Sequence, residues 1–304
     1  MSVATPSLRS QTGGAAADFG LYAVTVFAWG FSWIAMKGQI ATVAPEVSVF
    51  WRFVLAAAIM MVWVKIRGDR MAFPLKDHFR FAGLGVLMFS TNFTLFYYGA
   101  ASLPSGLLAV IFSTASVFNL GLGFLFFGQR PNPLALTAGL LGFCGVGLMF
   151  WPKLAGADFN AEAFLGLALC VGGTLSFCTG NMLSAQAQRQ GISVMPATAW
   201  GMLYGTGFIG LVSALRGQSF APELSVTYLG SLVYLALVAS VIAFASYLTL
   251  LGRIGAAGAG YVTVLFPVVA LTVSTLFEGY QWTLTAAAGL ALVIAGNILM
   301  IRSR

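Results

Sequence analysis

The sequence is short of charge. Of its 304 residues only 8% are charged, 15 basic and 8 acidic, while 59% are hydrophobic. Soluble globular chains carry about 25% charged residues. A soluble domain of this size exposes more surface than so few charges can cover, which excludes the soluble and disordered classes. Histidine is nearly absent: His78 stands alone in a basic stretch. Cysteine is scarce and odd in number. Cys144, Cys170 and Cys178 all lie inside apolar runs, with no CxxC or Cys/His cluster. They read as small core residues, so a disulfide scaffold is excluded and neither metal nor cofactor is expected. No nucleophile–base pair, HExxH or phosphate loop is present, so an enzyme is not expected.

Carboxylates are missing from one kind of place. Asp18, Glu46, Asp69, Asp77, Asp158, Glu162, Glu223 and Glu278 all fall at the ends of apolar runs or between them. Proton-coupled membrane pumps commonly carry an acid or histidine inside a span. The expectation is therefore downhill, facilitated movement of a substrate, with a proton-coupled drug or cation carrier as the alternative. Mid-span Lys or Arg is also lacking, which argues against a nucleotide-sugar carrier, whose phosphates need cations.

Long apolar runs fill the chain. A helix crossing the hydrocarbon needs about 20 apolar residues. Ten such runs occur, near 19–36, 47–64, 81–99, 106–127, 134–151, 163–186, 195–215, 226–251, 257–277 and 283–301. They are continuously apolar rather than alternating, which disfavours a β-barrel. Residues 1–17, rich in Ser, Thr, Ala and Gly, read as a mobile tail. The first run is expected to be retained as a span, because Lys37-Gly38-Gln39 is no cleavage site. Eleven basic residues fall on the side of the termini and three (Lys37, Lys153 and Arg216) on the other, which predicts cytoplasmic termini in an inner membrane. The net charge of +7, spread over short gaps, suits anionic lipid better than nucleic acid.

Sliding the sequence by 151 residues aligns it with itself. Leu125-Phe126-Phe127-Gly128 falls on Leu276-Phe277-Glu278-Gly279, and Leu148-Met149 on Leu299-Met300. From Phe124 to Phe150 there are eight identities in 27 positions. Two copies of five spans predict halves at 18–152 and 153–304. Because five is odd, the second must run through the membrane inverted. Such repeats are typical of transporters, with the substrate near the midplane between halves. The fold expected is all-α: ten transmembrane helices arranged five plus five, with small molecules and lipid as partners, in a single-copy protein. A non-transporting scaffold is the alternative of another class.

Polar side chains inside spans tend to face protein or water. In the third run Ser90, Asn92, Thr94, Tyr97 and Tyr98 cluster, and Ser90, Thr94, Tyr97 and Tyr98 share a helical face by spacing. Ser116 and Asn119 in the fourth run and Asn181 in the sixth are further candidates to line a cavity. Trp33 and Tyr261 sit beside polar neighbours and could stack on an aromatic ligand. Pro267, near mid-run, is a candidate hinge. Gly139 and Gly142 would permit close, mobile packing. Lys37 and Arg52 either snorkel towards the membrane surface or contact a substrate carboxylate or gating carbonyl.

Several stretches together resemble the EamA group of the drug/metabolite transporter superfamily. Trp29-Gly30-Phe31-Ser32-Trp33-Ile34-Ala35-Met36-Lys37 is similar to that family's first-span motif, and Arg52-Phe53 to its second-span pair. Tyr98-Gly99-Ala100 with Gly106 and Ala109, and Phe266-Pro267 with Glu278-Gly279, resemble its later motifs. The likeness covers essentially all ten runs and is strongest overall to the group's aromatic amino-acid exporters. It implies export of Phe, Tyr and Trp, with Thr, Met or small analogues such as paraquat. The first half departs by having Ser116 and Phe127 where the second has Pro267 and Glu278.

Overall fold

The computed structural model describes residues 8–40, 43–128, 130, 132–154 and 160–303. Ten helices account for most of them: α1 (Leu8–Lys37), α2 (Pro45–Ile66), α3 (Leu75–Ala100), α4 (Ser105–Phe127), α5 (Pro133–Leu154), α6 (Ala161–Arg189) and α7 (Val194–Leu215). α8 runs through Val226–Val233, Tyr234–Ile242 and Ala243–Gly260. α9 (Val262–Glu278) and α10 (Leu284–Arg302) follow. In lipid every backbone amide must be paired within its own segment, and continuous apolar runs therefore fold as helices. Nine of the ten are long and apolar enough to cross a membrane, and α9, also apolar, is 17 residues long. At 1.5 Å per residue α9 spans about 26 Å, close to the hydrocarbon thickness.

The helices begin earlier than hydropathy alone implies. α3 starts at Leu75, so Lys76, Asp77, His78 and Arg80 are helical rather than part of a loop. α1 extends back to Leu8, into the segment expected as a tail, whose residues 1–7 lie outside the described residues. Short polar residues start several helices. Asn132, Asn160, Ser225 and Thr283 accept the backbone N–H of the residue three further on, filling orphan donors of the first turn. α4 and α9 both stop at a glycine, Gly128 and Gly279, each with φ of 66°, a left-handed conformation that only glycine adopts freely.

Short connections place successive helix ends side by side, so the ends fall into two sets. The terminal face carries the start of α1 and the end of α10; the far face carries the end of α1 and the start of α2. α2 packs on α7, α4 on α9 and α5 on α10. α3 packs on α6 and α7, α8 on α1 and α2, α6 on α4 and α1 on α9. The α5–α10 seam is tight: a Cβ on Gly289 would lie 2.5 Å from the Gly145 carbonyl oxygen, and one on Gly145 2.6 Å from that of Gly289. Large apolar side chains such as Leu125, Leu136, Leu276 and Phe277 point outward, as lipid contact requires.

Two helices are interrupted by π-helical turns, at Gly85–Thr91 in α3 and Tyr234–Ile242 in α8. A π turn widens the hydrogen-bond ladder and offers carbonyls to neighbours. Ser176 on α6 donates to the Leu87 carbonyl at 2.7 Å. The Trp29 indole on α1 donates to the Ala239 carbonyl at 3.2 Å. Each π turn is thus held by the helix that packs against it.

Candidate functional site

Polar groups gather in three zones along the axis. At the terminal face a cavity of about 530 Å³ opens between α4, α6 and the start of α5, with the end of α10 as its rim. Its walls include Ser116, Asn119, Phe127, Asn181, Met182 and Met300, and its mouth carries Arg130, Asn132, Arg189 and Ser303. The volume lies within the usual range for small-ligand sites. No carboxylate is among its lining residues. The Ser116 hydroxyl donates to Asn297 Oδ1 at 2.8 Å, and Asn181 Nδ2 approaches Asn119 Oδ1 at 3.4 Å, long enough to leave both amides open to a ligand. Arg189 lies 3.9 Å from the Phe127 ring centroid.

The middle zone is aromatic. Trp33 meets Phe96 at 5.2 Å and Phe112 at 5.6 Å, and stacks near-parallel on Phe266 at 6.4 Å between centroids. The cluster draws on α1, α3, α4 and α9. Beside it Arg52 is buried, 5% exposed. Its Nε and Nη2 donate to the Ser240 hydroxyl at 3.2 and 3.1 Å, and its Cζ sits 4.3 Å from the centroid of Phe93. Ser240 passes its own proton to the Leu235 carbonyl in the π turn of α8, which leaves its lone pairs for Arg52.

The far face is closed by ion pairs. Lys37, at the end of α1, lies 3.1 Å from Glu278 at the end of α9. Glu278 also accepts from the Ser105 amide at 2.9 Å and from its hydroxyl. Glu46, fully buried in the first turn of α2, pairs with Arg216 beyond the end of α7. The Tyr98 hydroxyl donates to Glu46 at 2.7 Å and accepts from Arg216 at 2.9 Å. These contacts with Tyr98 and Glu46 raise the Arg216 pKa above its ordinary value, so its charge persists at any physiological pH. The Tyr97 hydroxyl donates to Gln39 Oε1 at 2.6 Å.

One family model, described as the EamA-like transporter family, matches the chain twice, over residues 19–151 and 164–302. The chain belongs to the EamA-like transporter family. It is a multi-pass membrane transporter rather than an enzyme. The uncharacterized transporter YvbV of Bacillus subtilis is 23% identical over 286 residues, covering 92% of this chain and 90% of that protein. The probable amino-acid metabolite efflux pump of Escherichia coli K12 is 25% identical over 293 residues, covering 92% and 94%. Protein PecM of Dickeya dadantii is 24% identical, covering 93% and 91%. A solved crystal structure shares the fold, with a TM-score of 0.66 at 15% identity over 94% of this chain and 96% of that one.

Within this EamA fold the expected site residues separate. Ser116, Asn119 and Asn181 come together in the terminal-face cavity. Trp33 joins the middle zone, and Pro267 lies buried next to its ring partner Phe266. Tyr97 and Tyr98 do not act as one face, since they bond Gln39 and Glu46 respectively. Ser90, Asn92 and Thr94 lie at or just past the π turn of α3, and Ser90 Oγ, Asn92 Oδ1 and Thr94 Oγ1 are buried without a hydrogen-bond partner. Tyr261 sits at the α8–α9 junction, near Tyr22 and outside the cavity lining. Gly142 and Gly139 pack against Gly296 and Val117. Arg52 does not snorkel: its head group is enclosed by α3 and α8. Sequence reasoning passed over Gln39, Ser105, Ser240 and Asn297. Only Gln39, directly after the Lys37-Gly38 pair, carried a local cue.

Proposed function

We propose that this chain exports small neutral metabolites, aromatic amino acids foremost, across the inner membrane by alternating access and without proton coupling. In this reading the two halves are inverted five-helix units, both termini are cytoplasmic, and a single copy suffices. The packing supports the two-half reading, because exchanging each helix of the first five with its counterpart in the second leaves the set of main helix contacts unchanged. The double family match over 19–151 and 164–302 supports it too, as do π turns in the third helix of each half and left-handed glycines ending the fourth. The name of the Escherichia coli relative supports the substrate class.

The observation that carries the mechanism is the contrast along the axis. A cavity with no carboxylate in its lining opens at the terminal face, while the Lys37–Glu278 and Glu46–Arg216 pairs bridge the halves at the far face. A substrate entering from the cytoplasm would meet Arg130 and Arg189 at the mouth and then the Asn119 and Asn181 amides. Its passage requires the two ion pairs to part. Counterflow in proteoliposomes tests this with labelled phenylalanine, threonine and a cationic drug. Phenylalanine exchange with no accumulation under an imposed pH gradient is expected. Gradient-driven accumulation of the drug, with no phenylalanine exchange, would establish the proton-coupled carrier instead.

A further inference from the structure

Arg52 stands seven residues into α2, roughly 10 Å along its axis. Among the described residues no carboxylate lies within ion-pair distance of it: the paired acids Asp18, Glu46, Asp69, Asp77 and Glu278 are taken by other cations. Its neighbours are neutral: the Ser240 hydroxyl, the Tyr97 hydroxyl and the Phe93 ring. Burying a guanidinium with only dipoles and a ring face for company is strongly unfavourable, and such a charge inside a membrane protein marks a ligand pathway. Lys37 differs. Glu278 already neutralises it, so of the two cations near the spans only Arg52 has charge to offer an incoming anion.

The surroundings specify the anion. Tyr97 links Arg52 to Gln39, whose Nε2 is buried without a partner and supplies a second donor on the same side. Phe93 and Phe96 lie three residues apart on α3, about 4.5 Å along the axis. That places the guanidinium one helical turn from the cage of Trp33, Phe96, Phe112 and Phe266. Trp33 Nε1 is also buried and unpartnered. A planar carboxylate matches the guanidinium fork, and a ring or large apolar group matches the cage.

We infer that Arg52, with Tyr97 and Gln39, binds the carboxylate of the transported molecule while the Trp33 cage receives its side chain. The inference rests on the amino-acid export reading and deepens it. Ser240 acts as a positioning residue that holds the guanidinium, through its π-turn bond, towards α3.

Ligand-induced thermal stabilisation of the purified full chain tests this without requiring transport. The probes are phenylalanine, phenylpropionate (carboxylate only) and phenethylamine (amine only). The wild type should bind phenylalanine and phenylpropionate and discriminate against phenethylamine at least tenfold. Arg52→Gln should lose at least tenfold in affinity for both carboxylates, and Arg52→Lys should recover part of it. Equal wild-type binding of phenylpropionate and phenethylamine, binding of neither, or unchanged affinity in Arg52→Gln overturns the inference. The wild-type comparison decides even if the variant fails to fold. Failure of the export reading looks different: carboxylate binding persists, but no amino acid exchanges in liposomes.

Discussion

The two ends of the helix bundle use charge differently. The far face is bridged by charge: Lys37 with Glu278 and Glu46 with Arg216, each pair joining a helix of residues 18–152 to one of 153–304. The terminal face carries more cations, yet Arg130 and Arg189 stand at the mouth of an open cavity lined by amides, hydroxyls and apolar groups. At the terminal face Asp18 pairs with Arg253, Asp69 with Arg67 and Asp77 with Arg80, outside the cavity lining. The contrast is that acids bridge the shut end while none lines the open cavity. Ion pairs are well suited to such a latch. The Lys37–Glu278 pair is partly exposed, so water can replace either partner at modest cost, whereas buried Glu46 makes the second pair the costlier one to part.

Four perturbations would break or sharpen that contrast, beginning with one that spares neither end. Gly289→Val places a side chain against the Gly145 carbonyl, where backbone rather than a flexible chain must yield. Overpacking of this kind costs about 1–3 kcal/mol or more, and the seam runs the length of α5 and α10. Loss of folded protein in detergent, read by size-exclusion yield and thermal melting, is the expected outcome. A fully stable variant would mean that this seam can slide apart freely.

Glu278→Gln acts on the far face alone. It removes the charge facing Lys37 and weakens the acceptor used by the Ser105 amide and hydroxyl. Charge-assisted hydrogen bonds contribute about 1.5–3 kcal/mol each when lost, discounted here because Lys37 is partly exposed. Leu103, 1% exposed in the α3–α4 connection, reports on opening. With the three native cysteines replaced, a cysteine at 103 should react with a membrane-impermeant maleimide at least tenfold faster in Glu278→Gln. Unchanged labelling would show that the Lys37 pair is not what closes this face. The second pair makes a comparison of its own. Arg216→Ala strands Glu46 in a fully buried site, whereas Glu46→Gln leaves Arg216 half in water. Thermal melting should therefore drop further for Arg216→Ala than for Glu46→Gln.

Much of this architecture was legible in the sequence for a plain physical reason. Hydrocarbon solvent forces continuous apolar runs to be helices, so ten runs became ten helices, with ends shifted by several residues where amphipathic turns such as 75–80 extend them. The far-face pairs were not legible. Lys37 and Glu278 are 241 positions apart in the chain, and no local pattern tells which cation finds which acid. The same holds for Arg52. Hydropathy shows a charge inside an apolar run, but whether it snorkels or stays buried depends on α3 and α8 enclosing it. The π turns were invisible too, since they arise from how α3 and α8 meet their neighbours. That is why spacing alone placed Tyr97 and Tyr98 together, while the structure gives them different partners.

The smallest expected effect belongs to the open end. Asn181 approaches Asn119 at 3.4 Å and lines the cavity. Interhelical polar contacts in membranes average about 0.6 kcal/mol, so Asn181→Ala should leave thermal stability nearly unchanged. Its amide is one of few donors along a wall that a zwitterion must pass, and losing it should raise the apparent KM for phenylalanine about threefold with little change in maximal rate. The split matters more than the size. A fall in melting temperature with no change in KM would make Asn181 a packing residue, and the terminal-face cavity would then be a crevice between helices rather than an entrance. A KM shift without a stability change would instead set the two ends apart by function as well as by composition.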